Sequence, residues 1–121
     1  MKINKKELLN TTKMWDGTKF SHLNINNPEV TVLKITVPVG QVLKMHKHPL
    51  VNIAYVKQGT LIVKTDDNKT VTVSEGECLA EVINKYHYGR NAGNIPLELV
   101  VFYIGEKGTP LSEDLVEISD N

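Results

Sequence analysis

The strongest constraint on this chain is the rhythm of its apolar residues. From Val30 onward they alternate with polar residues in short runs, and turn signals separate the runs at intervals of about 8–12 residues. No long stretch repeats with a helical period. A chain of this kind buries one side of each strand, and many short strands in succession predict an all-β sandwich or barrel.

Taken in order, Thr31–Val37 is β-branched and alternating, a strand stopped by Pro38 and Gly40. Val51–Val56 is a second strand, closed by Gln58-Gly59. Thr60–Thr65 and Lys69–Ser74 flank Asp66-Asp67-Asn68 and read as a hairpin. Glu75-Gly76 turns the chain into a strand over Cys78–Ile83, and another follows over Tyr86–Asn91 before the Ala92-Gly93-Asn94 turn. Leu97–Ile104 is the most apolar strand and is expected at the centre of the core. Either Val100 and Phe102 or Val101 and Tyr103 face inward.

The flanks are less regular. Lys5–Asn10 is either one helical turn or an extended arm. Trp15-Asp16-Gly17 is a turn or bulge with the indole over the domain, and Asn24–Glu29 is loop. Gly105–Asn121 carries five acidic residues and one lysine, and reads as a loosely packed tail free to cross to a partner. The expected organisation is one domain over 1–121, with a barrel core over about 30–104, an N-terminal arm over 1–29 and a tail over 105–121.

Fourteen basic residues balance fourteen acidic ones, so no basic stripe argues for nucleic acid or an anionic membrane surface. The polar start, Met1 to Glu7, has no apolar segment behind it, and the expected location is cytoplasmic. The single Cys78 excludes an internal disulfide and reads as a small buried hydrophobe.

Chemistry concentrates at His46-Lys47-His48. Two of the four histidines lie two residues apart in a strand, so both imidazoles share a face, either as metal ligands or as polar residues on a solvated surface. The chain reads Gly40, five residues, His46, one residue, His48, three residues, Asn52, six residues, Gly59. It continues as Gly76, five residues, Val82, one residue, Asn84, two residues, His87, three residues, Asn91. These spacings resemble the two motifs of the cupin superfamily, G-x5-H-x-H-x3,4-E-x6-G and G-x5-P-x-G-x2-H-x3-N. The resemblance spans about Val30 to Ile104.

The resemblance implies a small jelly-roll β-barrel, a double-stranded β-helix, with a divalent transition metal inside. His46, His48 and His87 match the family's histidine ligands, and Fe, Zn, Ni, Mn and Cu all suit such a set. Val82 and Asn84 replace the motif Pro and Gly and alter a turn. Asn52 stands where the family has its carboxylate ligand. A three-His site without that carboxylate keeps its dipositive charge and favours an anionic substrate bound directly to the metal, with Asn52 itself a further candidate ligand. The alternative is a barrel that has lost its metal.

Glu81 is the other candidate for catalysis. Alternation separates Cys78, Ala80 and Val82 from Leu79, Glu81 and Ile83, and both faces are otherwise apolar. Pointing inward, Glu81 is a fourth ligand or a general base; pointing outward, it meets an interface or a lysine. Parity puts Ala54 and Val56 on the face of His46, His48 and Asn52. Leu33, Ile35, Leu61, Val63, Val71 and Val73 are expected to line the barrel. Met45 reads as packing and His22 as a surface residue.

The expected function is that of a metal-dependent oxygenase acting on a small anionic or enolisable molecule. The alternative is a non-catalytic module for a metal or small ligand. The implied partners are a small molecule and a second copy in a homodimer.

Overall fold

The computed structural model describes residues 2–116. Among these, the strands are β1 (Pro28–Val37), β2 (Val42–Lys47), β3 (Val51–Gln58), β4 (Thr60–Thr65), β5 (Thr70–Ser74), β6 (Cys78–Ala80), β7 (His87–Asn91), β8 (Leu97–Glu106) and β9 (Glu113–Asp114). They form two antiparallel sheets, of order β1-β8-β3-β6 and β5-β4-β7-β2-β9. The chain passes repeatedly from one sheet to the other, as a jelly roll requires. The described residues include no helix long and apolar enough to cross a membrane.

Alternation decides what lies between the sheets. In β3, Asn52, Ala54 and Val56 are buried; in β4, Leu61, Val63 and Thr65; in β8, Leu97, Leu99, Val101 and Tyr103. β8 takes the central position its composition predicts, pairing with β1 along ten residues and with β3 on its other side. The choice left open for its inner face falls on Val101 and Tyr103. They pair with Ala54 and Asn52, which already face inward on β3. Phe102 and Ile104 consequently lie on the outer face beside Val32 and Val30, and all four are exposed.

The β3–β4 turn depends on Gly59. Its φ is +90°, and a Cβ there would lie 3.2 Å from the Leu97 backbone and 3.3 Å from the Pro96 carbonyl oxygen. Only glycine meets both conditions without strain.

Lys5–Asn10 has no helical turn, which leaves the arm of its two alternatives. Two local expectations change. The strand expected over Cys78–Ile83 stops at Ala80, and Ile83 retains only an isolated bridge to His48. There the Val82 N–H turns to the Glu81 carboxylate, and Asn84 adopts φ 55°, which bends the chain away. The tail expected over 105–121 is not loose as far as Asp114. Gly105 and Glu106 complete β8, and Glu113–Asp114 adds an edge strand beside His46 and Lys47. The Leu115 N–H then donates to the Met45 carbonyl at 3.1 Å. Tail residues 117–121 lie outside the described residues, as does Met1.

Candidate metal centre

His46 lies near the end of β2 and His87 begins β7; the two are register partners in one sheet. His48 follows β2 directly. The strand period of two places His46 and His48 on one side, and pairing with β7 brings His87 beside both. Ring centroids are 4.8 Å apart for His46–His48, 4.5 Å for His46–His87 and 4.9 Å for His48–His87. One ring nitrogen from each of the three lies within 4.8 Å of the other two.

The backbone orients all three rings. Nδ1 of His46 bonds to the Lys44 carbonyl, Nδ1 of His87 to the Lys85 carbonyl at 2.8 Å, and Nδ1 of His48 to the Leu111 carbonyl at 2.9 Å. A carbonyl only accepts, so each Nδ1 carries the proton and each Nε2 keeps a free lone pair. Metal-ligating histidines are commonly fixed in this way. Burial holds His48 and His87 at about 4, with backbone carbonyls partly opposing the shift and His46 adding to it. Both are neutral, the ligating form, near pH 7.

Two buried side-chain atoms lack a partner among the described residues: His87 Nε2 and Asn52 Oδ1. Both belong to residues of the same cavity wall. Buried polar groups are rarely left unpaired, and two in one wall fit a ligand or ion that completes them. The donor set therefore suits a transition-metal ion.

Asn52 comes from the opposite sheet, because the chain crosses between sheets after His48. Glu81 takes the inward of its two alternatives. Its Oε1 accepts the Trp15 indole N–H at 2.7 Å and the Val82 N–H at 3.1 Å, while Oε2 lies 3.6 Å from His87 Nε2. Burial raises the Glu81 pKa, against the lowering effect of the Trp15 and Val82 donors and of His46. Burial, and then the Glu81 charge, also raise that of Tyr103.

The cavity holds about 280 Å³. Leu33, Ile35, Leu61, Val63 and Ala54 line it as expected, together with Leu99, Val101 and Tyr103. Val73 instead belongs to the surrounding core, with Val71 packed against it. Lys44, Ser112 and Asp114 also contribute to the wall. His22 lies elsewhere, in a separate groove, and Met45 does not line the cavity. Asn91 of the second motif serves the fold: its amide donates to the carbonyls of Val37 and Ile95.

Trp15 and Leu111 were not legible as site residues. Each acts across a long separation in sequence, and no local pattern marks either one.

Known proteins share this fold. A family model described as a cupin domain matches residues 33–103. A Bacillus halodurans protein superposes with a TM-score of 0.59 at 24% identity, over 70% of this chain and 66% of that one. A variant of Bacillus subtilis oxalate decarboxylase superposes with a TM-score of 0.63 at 20% identity, over 71% of this chain and 24% of that one. An oxalate oxidase in complex with the substrate analogue glycolate gives 0.54 at 24% identity, over 61% and 41%. No protein of curated function matches the sequence significantly. With the family model covering more than half of its length, and with two antiparallel sheets enclosing three convergent histidines, this chain belongs to the cupin family.

Proposed function

We propose that the protein is a metal-dependent oxygenase that binds a small anionic or enolisable molecule directly at an ion held by His46, His48 and His87. The observation carrying this reading is the convergence of three imidazoles whose Nδ1 protons are all committed to backbone carbonyls. When bound, the ion supplies positive charge and Lewis acidity at the cavity wall.

The chain's own residues account for the rest. No carboxylate stands at position 52, so the Asn52 amide leaves the charge of the site for an anionic ligand to balance. Glu81 Oε2 lies 3.6 Å from His87 Nε2, placed to serve either as a further ligand of the ion or as a general base for an enolisable substrate. The largely apolar walls bound a volume that suits a small molecule. Two of the fold neighbours, by name, act on oxalate, itself a small dianion.

The test is metal analysis of freshly purified protein, followed by oxygen uptake with Fe(II) and 1,2-dicarbonyl, 1,3-dicarbonyl or phenolic compounds. The expected result is stoichiometric metal and substrate-dependent uptake. His48→Ala should lose most of the metal while keeping its fold, and His22→Ala should change neither. Metal near zero with no rescue by Fe(II) overturns the reading; metal without turnover of any compound leaves a binding module and overturns the oxygenase.

A further inference from the structure

Trp15 lies outside the region that matches the family model, yet it touches the site. Its backbone N–H donates to the Ala80 carbonyl at 3.0 Å, which seats the turn beside the end of β6. The indole N–H then reaches Glu81 Oε1 at 2.7 Å. With the Val82 N–H on the same oxygen, Oε1 is occupied and Oε2 is the atom left facing His87.

The next residue anchors this turn. The Asp16 carboxylate, with its side chain 1% exposed, pairs with Lys85 Nζ at 3.0 Å, and Lys85 also pairs with Asp67 at 2.8 Å. The carbonyl of the same Lys85 orients His87 through Nδ1. Lys85 thus ties the turn that carries Trp15 to the segment that carries His87. Both partners of the Glu81–His87 approach are held from one place.

We propose that Trp15 is a positioning residue of the metal site, clamping Oε1 of Glu81 so that Oε2 is presented to the ion held by the three histidines. This rests on the metal reading above. An indole N–H suits the task because it only donates, so it selects an accepting oxygen and stays in one orientation. A phenyl ring keeps an aromatic side chain in part of that space and removes the bond.

The experiment is a double-mutant cycle on zinc affinity, using wild type, Trp15→Phe, Glu81→Gln and the double variant. Trp15→Phe should weaken zinc binding about tenfold or more, the usual cost of losing a group that orients a ligand. In the Glu81→Gln background the same change should cost less than about twofold, because the carboxylate it positions is gone. Asp16→Asn, which loosens the anchor and keeps the indole, should show a smaller loss with the same dependence on Glu81.

Trp15 is the sole tryptophan, so its indole N–H gives one resonance in a nitrogen–proton correlation spectrum. That resonance should be protected from exchange in the metal-free protein and should move in Glu81→Gln. Equal losses in both backgrounds, or no loss, would overturn the proposal alone, as would an indole resonance indifferent to Glu81. Wild-type protein that binds no zinc or other divalent metal would overturn the metal reading and this proposal with it.

Discussion

The His48 imidazole donates its Nδ1 proton to the carbonyl of Leu111 at 2.9 Å, across 63 positions of sequence. A candidate ligand from the first motif is therefore oriented by the segment that follows the last long strand. Glu113–Asp114 holds this segment in place by pairing with Lys47 and His46. The ion pair between Lys47 and Glu113, at 3.9 Å and largely exposed, adds little.

Removing the chain after Thr109 should accordingly weaken zinc binding by about 10–100-fold, the range seen when an orienting partner of a metal ligand is lost. The two main sheets should persist, because β9 is a two-residue edge strand. Competition with a chromophoric chelator measures the first effect and far-ultraviolet circular dichroism the second. Unchanged affinity would show that His48 is oriented without the segment.

Acid should destabilise the metal-free protein. Burial holds His48 and His87 near 4, whereas in the unfolded chain they titrate near 6.5. Between those values the unfolded state binds more protons, so stability falls as pH falls from about 6.5 to about 4. Each histidine contributes at most about 1.4 kcal/mol per pH unit over that window. Glu81 acts in the opposite sense: its raised pKa favours folding while it is protonated, and this benefit is lost as pH rises. Urea unfolding from pH 4 to 8 measures the balance, and His87→Asn should flatten the acid limb. A His87→Asn acid limb as steep as that of the wild type would contradict the neutral, buried state of this ring.

Asn52→Asp restores a carboxylate where the cupin motif has one. Without metal, the new charge is buried at a position 4% exposed, and stability should fall by about 1–3 kcal/mol. With zinc present the sign should reverse, since the carboxylate pairs with the ion, and affinity should rise at least tenfold by about 1.4 kcal/mol or more. Thermal unfolding with and without zinc reads both. Equal shifts in the two conditions would place Asn52 outside the reach of the ion.

Much of this protein was legible from local chemistry. Alternation at period two marked the strands, Gly59 and Asp66-Asp67-Asn68 marked turns, and motif spacing brought His46, His48 and His87 into one site. These signals act over a few residues, so the sequence carries them directly. Three features were decided only by the tertiary structure. β8 is apolar on both faces, and pairing with Ala54 and Asn52 selected Val101 and Tyr103 as its inner pair. Alternation left Glu81 on either side of its strand, and the Trp15 indole meets it inside. The tail gained its place by adding a strand to β2, which no pattern within 105–121 encodes. Long-range pairing sets all three, because the free energy of each arrangement belongs to a partner far away in the chain. The alternating run from Val30 determines a barrel with three histidines in it, and the packing of Trp15 and Leu111 against that barrel determines how Glu81 and His48 are presented.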